Sequence, residues 1–251
     1  MLVAATSLLL AVLLPCQTLG LVSVRRQERY ATTLPFQLHA AAPKRRFDAD
    51  GVLYRQSVCT KEELHAIQHE LAEAMKQVSE ERSSIAQHRT GATLSRDGEI
   101  AKILNQGSIF SLVQRAVGND MGSKIEAAEE IPIEMRIYER AGASMAWHVD
   151  DILYDPPQIE IVFTVENTSD CATLWKVASN MHRQETHPNS IIVLKAGGPE
   201  HCVTALKRGR RVIVKCAYVL EGAKFVGEEY QNQFKEASRV KSRGKRKQKM
   251  K

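Results

Sequence analysis

The chain has 251 residues, of which 43% are hydrophobic and 25% are charged, an ordinary balance for a globular protein. This length suits one domain of moderate size with tails, and two compact domains would be crowded. The formal net charge of +6 is concentrated at one end, because residues 239–251 carry eight basic residues and no acid, which leaves −2 for the remainder. A nucleic-acid-binding body is therefore not indicated. We predict residues 226–251 to be a basic, disordered tail; contact with an acidic surface and a nuclear-type address are the alternatives.

The N-terminal segment is apolar and uncharged over residues 2–15, as in the core of a signal peptide. We predict a cleaved signal peptide over residues 1–20, which would direct the chain to the secretory pathway and the ER lumen. A membrane anchor would need the apolar run to extend through residue 24. Residues 21–49 are a basic leader or linker, rich in arginine and poor in acids, which is also typical of organelle transit peptides. A two-part leader into a plastid or a mitochondrion therefore stays open.

The five cysteines are Cys16, Cys59, Cys171, Cys202 and Cys216. None forms a CxxC pair, so the spacing of a zinc finger is absent. If Cys16 is removed with the leader, two disulfides are possible, and the sequence does not choose their connectivity.

The folded domain is predicted to span residues 50–225 and to begin with helices. Residues 60–63, Thr-Lys-Glu-Glu, form a capping box before apolar residues at helical spacing. A polar loop is predicted around residues 83–98. A second helix is predicted over residues 109–117, closed by Gly118.

Short β-strands are predicted in the second half of the domain. Apolar or alternating runs occupy residues 133–138, 159–165, 190–194 and 211–219, and turn-forming residues separate them. Helices followed by strands predict an α+β fold, and the short strands are typical of a sandwich or barrel.

A candidate metal site follows from the positions of three side chains. His148 and Asp150 lie at the end of a predicted strand, where residues two apart face the same side. This pair alone is a weak signal, since two exposed polar residues at a strand end are ordinary. His201 follows the strand at 190–194, and Arg211 opens the last strand ten residues later. Two histidines and one carboxylate form the facial triad of non-heme Fe(II) oxygenases, and an arginine suits the distal end of a dicarboxylate cosubstrate.

The stretch from Met135 to Val219 resembles the prolyl 4-hydroxylase-like branch of the 2-oxoglutarate/Fe(II) dioxygenase superfamily. Tyr138, ten residues before His148, lies in an RxYxxG-like context over residues 136–142. The HxD pair, the later histidine and the basic residue follow in the family's order and spacing. The resemblance implies a double-stranded β-helix, or jelly roll, supported by N-terminal helices.

The same resemblance implies roles for five residues. His148, Asp150 and His201 would bind iron, Arg211 would pair with the distal carboxylate of 2-oxoglutarate, and Tyr138 would donate a hydrogen bond to that carboxylate. No catalytic residue beyond the iron centre is implied. Fe(II), the cosubstrate 2-oxoglutarate, O2 and ascorbate are the expected cofactors. The expected reaction is hydroxylation of a substrate C–H bond, first of all a peptidyl proline in a protein or peptide, with release of succinate and CO2.

One segment departs from the family's pattern. Residues 170–175, Asp-Cys-Ala-Thr-Leu-Trp, replace the usual GGxTxF, and the 51-residue step from Asp150 to His201 is shorter than in collagen-type enzymes. Because this region helps to line the family's substrate side, the substrate stays open. The alternatives are a small molecule, a different residue type, or a catalytically silent jelly-roll binding module.

Other residues have competing interpretations. Arg210 is the alternative to Arg211, but neighbours on a strand face opposite sides, and the ten-residue spacing favours Arg211. Trp147 and Trp175 could stack on a substrate or pack in the core or at the rim. Residues 167–169, Asn-Thr-Ser, form a glycosylation sequon, which has meaning if the chain enters the secretory pathway.

Overall fold

The computed structural model describes residues 47–81 and 83–227. The predicted signal peptide, the leader up to residue 46, and the tail from residue 228 lie outside the described residues. Within the described part of the chain, no helix has the length and apolar character needed to cross a membrane.

The helices precede most of the strands, as predicted. They are α1 (Phe47–Asp50), α2 (Lys61–Ala74), α3 (Glu99–Gln106) and α4 (Ser108–Val113), with a 3-10 turn at Met75–Gln77 and a π-helical segment at Gln114–Gly118.

The capping box at the start of α2 is present. The Thr60 hydroxyl accepts from the Glu63 backbone N–H at 3.2 Å, and the Glu63 carboxylate accepts from the Thr60 backbone N–H at 2.9 Å. The predicted second helix is shorter than expected, since regular α-helix ends at Val113 and the π-helical segment continues to Gly118. Phe47 is buried in the core, so packing begins just before the expected boundary at residue 50.

The strands in chain order are β1 (Val52–Gln56), β2 (Ser79–Glu80), β3 (Ala86–Gln87), β4 (Thr90–Thr93), β5 (Ile125–Ala127), β6 (Glu134–Tyr138), β7 (Ser144–His148), β8 (Tyr154–Asp155), β9 (Ile159–Asn167), β10 (Thr173–Val177), β11 (Asn180–Gln184), β12 (Ser190–Lys195), β13 (His201–Val203), β14 (Arg211–Leu220) and β15 (Lys224–Phe225).

These strands form two antiparallel sheets and one separate two-stranded pair. The larger sheet has the order β1-β12-β9-β14-β6-β4-β2, and β5 also pairs with β14. The smaller sheet has the order β11-β10-β13-β7-β3, and β8 pairs with β15. The jelly-roll core with supporting helices is therefore confirmed, and the four long strand predictions match β6, β9, β12 and β14.

The two faces of the larger sheet have different partners. On β14, Val212 and Val214 belong to the main hydrophobic core, which also contains Ile67 of α2 and Leu104 of α3. Because side chains alternate along a strand, the residues between them face the smaller sheet. Charged residues of β14 therefore lie between the two sheets, where the candidate site is.

The predicted polar loop at residues 83–98 is wrong in its centre, because β3 and β4 lie there. Their apolar signal is weak, since both strands are short and contain small residues. One of these small residues, Gly91, is required by the packing. A Cβ at this position would lie 2.3 Å from the Met135 carbonyl oxygen. The glycine permits close approach of β4 to β6, which periodicity cannot reveal.

Candidate metal and dicarboxylate site

The structure brings together the three side chains proposed as iron ligands. His148 ends β7 and pairs across the sheet with His201, the first residue of β13. Asp150 follows two residues after His148, and its carboxylate lies against both imidazoles. His148 Nε2 is 3.8 Å from Asp150 Oδ1, and His201 Nε2 is 3.6 Å from Asp150 Oδ2. One ligand atom from each residue lies within 4.8 Å of the other two.

Each imidazole is oriented by a backbone carbonyl. His148 Nδ1 lies 2.9 Å from the Ala146 oxygen, and His201 Nδ1 lies 3.1 Å from the Pro199 oxygen. Because a carbonyl oxygen accepts, this network assigns the proton of each ring to Nδ1 and leaves the lone pair on Nε2. His148 Nε2 is buried without a hydrogen-bond partner among the described residues. Three electron-pair donors thus converge, and the carbonyls orient the imidazoles as outer-shell partners do at metal sites.

The local electrostatics favour the metal-binding protonation states. Burial alone would raise the pKa of Asp150, but Lys215 and the two imidazoles outweigh it and hold this pKa below its usual range. Burial lowers the pKa of His201, which favours its neutral form. Lys215 Nζ lies 3.3 Å from Asp150 Oδ1 and 3.4 Å from Glu160 Oε2. A carboxylate beside a neutral imidazole is the state in which these groups bind a divalent metal.

Arg211 presents a buried guanidinium on the same face of β14 as Lys215. The residue is 0% exposed, and its Nη1 donates to the Thr173 hydroxyl at 3.2 Å. Nε and Nη2, the two donors on one side of the guanidinium, have no hydrogen-bond partner in the described part of the chain. Tyr138 is the residue opposite Arg211 on β6, and the Arg211 Cζ lies 5.7 Å from the centre of its ring. A buried cation with a free two-donor fork fits a carboxylate.

Arg210 points to the other side of the strand. Its guanidinium lies 3.6 Å from the Glu139 carboxylate and 3.7 Å from the Glu166 carboxylate, at a partly exposed position. The structure therefore places Arg211, and not Arg210, between the sheets with the metal-site residues.

Comparison with known proteins gives fold matches. No protein-family model matches the chain, and no curated protein matches its sequence. A prolyl-4-hydroxylase from Pseudomonas putida superposes with a TM-score of 0.56 at 13% identity, covering 70% of this chain and 96% of that one. The epimerase SnoN of nogalamycin biosynthesis gives 0.60 at 13% identity, covering 74% and 85%. A prolyl hydroxylase from Trichoplax adhaerens, in complex with a hypoxia-inducible-factor peptide fragment, gives 0.56 at 11% identity, covering 68% and 85%.

The fold is that of the 2OG-Fe(II) oxygenases. A second structure of SnoN is a complex with Fe3+, alpha ketoglutarate and nogalamycin RO, so a protein of this fold binds iron and this dicarboxylate together.

Within this oxygenase fold, three charged residues near the site were missed by the sequence analysis. Lys215 and Glu160 each interrupt an otherwise apolar strand, β14 and β9 respectively. A charged residue inside an apolar strand is a signal by which the sequence could have indicated both. Arg89 follows β3 in the segment expected to be a loop, and it is 6% exposed. Nothing in the local sequence marks Arg89 as buried.

The two tryptophans have different environments. Trp175 pairs across β10 and β13 with His201, is 8% exposed, and stacks on His182 with ring centres 5.6 Å apart. Trp147 is 38% exposed, with Lys176 Nζ 4.4 Å from the centre of its ring. Trp175 is thus core packing beside a proposed ligand, and Trp147 lies at the surface.

Two remaining expectations concern covalent modification. Cys59, Cys171, Cys202 and Cys216 are buried free thiols, so the two possible disulfides do not form among the described residues. In the sequon, the Asn167 amide donates to the Thr186 carbonyl at 2.6 Å and its oxygen accepts from the Ser169 backbone N–H at 3.0 Å. These bonds give the Asn167 side chain a structural role at the end of β9.

Proposed function

We propose that this protein is an Fe(II)- and 2-oxoglutarate-dependent oxygenase. The observation that carries the proposal is the convergence of one ligand atom from each of His148, Asp150 and His201 within 4.8 Å of one another. Two histidines and one carboxylate leave coordination positions for a cosubstrate and oxygen. With 2-oxoglutarate and O2, iron bound here would supply the oxidising chemistry that hydroxylates a C–H bond and releases succinate and CO2.

The residues of the chain would position the reactants. Asp150, His148 and His201 would hold the metal, and the carbonyls that accept from the two Nδ1–H groups would fix the imidazole planes. Arg211 would pair through Nε and Nη2 with the distal carboxylate of 2-oxoglutarate, and Tyr138 would donate to the same carboxylate. Since Arg211 and Lys215 share one face of β14, the dicarboxylate would lie along this strand toward Asp150.

The central test is turnover of 2-oxoglutarate by the full chain. We expect purified protein with Fe(II), 2-oxoglutarate and O2 to release succinate slowly without substrate. Asp150→Ala should lose both metal binding and succinate release, because the single carboxylate ligand is removed. A wild-type protein that binds metal and 2-oxoglutarate but never forms succinate would instead be a silent binding module. Full activity of Asp150→Ala would show that the metal site is elsewhere.

For the substrate, we propose a C–H bond of a peptidyl proline in a protein or peptide. Support comes from the sequence resemblance and from the prolyl hydroxylases among the proteins of similar fold. SnoN, an epimerase of nogalamycin biosynthesis, has the same fold and supports the small-molecule alternative. Mass spectrometry of proline-rich peptides after incubation should show the gain of one oxygen atom on proline. The same shift on another residue would reassign the substrate residue, and turnover stimulated only by small molecules would favour the alternative.

We also propose that ascorbate supports turnover and that the chain enters the secretory pathway. The first rests on the resemblance and the second on the apolar segment at residues 2–15. Succinate release should increase with ascorbate. N-terminal sequencing of the protein from cells should begin at residue 21; a start at residue 1 would indicate an anchor, and a later start would indicate a transit leader.

A further inference from the structure

A second buried arginine, Arg89, lies beside Tyr138. Arg89 Nη1 donates to the Tyr138 hydroxyl oxygen at 2.7 Å, and it also lies 3.2 Å from the Met145 sulfur. Arg89 Nε and Nη2 donate to the two carboxylate oxygens of Glu81 at 2.5 and 2.6 Å. The guanidinium is thus held in one orientation between the two sheets.

The direction of the Arg89–Tyr138 hydrogen bond constrains the phenol. A guanidinium donates and cannot accept, so the Tyr138 oxygen is the acceptor. The single hydroxyl proton of Tyr138 must then be donated elsewhere, and no acceptor for it is found among the described residues. Arg89 Cζ and Arg211 Cζ lie 5.4 and 5.7 Å from the centre of the Tyr138 ring, so two cations lie close to this ring.

The two arginines differ in their counter-charge. Glu81 neutralises Arg89 through two hydrogen bonds, and Arg136 Nε also lies 3.3 Å from Glu81. Arg211 has a neutral partner, Thr173, and a free fork. Of the two cations beside Tyr138, Arg211 is therefore the one that is open to an anionic ligand.

We propose that Arg89 is a positioning residue that makes Tyr138 a hydrogen-bond donor to the carboxylate bound by Arg211. By occupying the acceptor lone pair of the phenol, Arg89 leaves the hydroxyl proton for the ligand. The carboxylate then receives three donors: Nε and Nη2 of Arg211 and the hydroxyl of Tyr138. This inference rests on the proposed function, because it takes the distal carboxylate of 2-oxoglutarate as the ligand.

The test is a double-mutant cycle on 2-oxoglutarate binding. The dissociation constant is measured by titration calorimetry on the Ni(II)-loaded full chain for the wild type, Arg89→Met, Tyr138→Phe and the double variant. A hydrogen bond of ordinary strength predicts that Tyr138→Phe weakens binding by about 3- to 10-fold. Arg89→Met should weaken binding by more than about 2-fold and by no more than Tyr138→Phe does, and an unchanged dissociation constant would overturn the positioning role. Since Arg89 acts through the Tyr138 hydroxyl, the double variant should bind as Tyr138→Phe does.

Arg136→Met is the matched control, because Arg136 contacts Glu81 in the same cluster without a bond to Tyr138. It should leave the dissociation constant within about 2-fold of the wild type, whereas a general loss of this cluster's structure would move both variants. If Arg89→Met does not fold, Arg89→Lys replaces it in the cycle, since lysine keeps the charge beside Glu81 and lacks the planar fork that reaches both partners.

The outcomes separate the two proposals. If the loss of 2-oxoglutarate affinity in the double variant equals the product of the losses in Arg89→Met and Tyr138→Phe, the positioning role is overturned and the proposed function still stands. Wild-type protein that binds no 2-oxoglutarate would overturn both. Pyruvate, which lacks the distal carboxylate, gives a further readout: its binding should not respond to Arg89→Met, and an equal response would contradict the inference.

Discussion

Replacing Arg211 with methionine would remove the buried fork and keep an apolar side chain of comparable length. Truncating one partner of a buried, hydrogen-bonded charge pair costs about 2–5 kcal/mol of binding free energy. This predicts a loss of 2-oxoglutarate affinity of about 30-fold or more. Without ligand, Arg211→Met should be at least as stable as the wild type, because it no longer buries a cation whose described partner is the neutral Thr173 hydroxyl.

Thermal unfolding gives the assay. At a concentration of 100 times its dissociation constant, 2-oxoglutarate should stabilise the wild type by about 2.7 kcal/mol. For a domain of this size, that corresponds to a rise in Tm of about 5–11 °C. At the same concentration, a 30-fold weaker variant would gain about 0.9 kcal/mol, so its Tm should rise by about 2–4 °C.

Arg210→Met is the control, since Arg210 adjoins Arg211 in sequence but faces Glu139 and Glu166 outside the site. Its ligand-induced shift should equal that of the wild type. A full shift in Arg211→Met would refute the assignment of the carboxylate anchor, and equal losses in both variants would indicate a nonspecific electrostatic effect.

Two further predictions concern stability. Burial opposes ionisation of Glu81, but the hydrogen bonds and charge of Arg89, together with the charges of Arg136 and Lys215, outweigh burial and lower the pKa of Glu81. The stability that this provides is present above the unfolded-state pKa of about 4.3 and is lost as the pH falls through the lower folded-state pKa. Urea unfolding should therefore show the wild type losing its advantage over Glu81→Gln below about pH 4, and a constant difference from neutral to acid pH would contradict this linkage. Gly91→Ala should destabilise the fold by about 1–3 kcal/mol, because the new Cβ would meet the Met135 carbonyl, and an unchanged urea midpoint would show that β4 can shift away from β6 at little cost.

The long strands could be predicted because their apolar residues either alternate with other residues or form an almost continuous run along the strand. β9 and β14 alternate between the main core and the intersheet space, and β12 is apolar nearly throughout. His148 and Asp150 could be predicted as a pair because strand alternation places them on one face, and His201 could be added because it completes a two-histidine, one-carboxylate triad in the order and spacing of the family that the sequence resembles. The structure brings them together as expected, with His201 directly opposite His148.

Other features depend on partners distant in sequence. Arg89 is buried because Tyr138, 49 residues later in the chain, and Glu81, eight residues earlier, supply its acceptors. No local pattern distinguishes it from exposed arginines such as Arg140. The β4 strand depends in the same way on Gly91 and the backbone of β6. Sequence periodicity reports which face an element buries, and it cannot report which polar side chains find partners there.

The register of β7 and β13 gives the two histidines a role in the connectivity of the fold. His148 and His201 face each other on paired strands, and residues 149–200 between them contain β8 to β12, including two interior strands of the larger sheet, β9 and β12. An ion held by both histidines would close this segment into a loop. The metal would then be a reversible cross-link that restricts the unfolded chain. It would join β7 and β13 of the smaller sheet at the two ends of the segment that supplies β9 and β12 to the larger sheet.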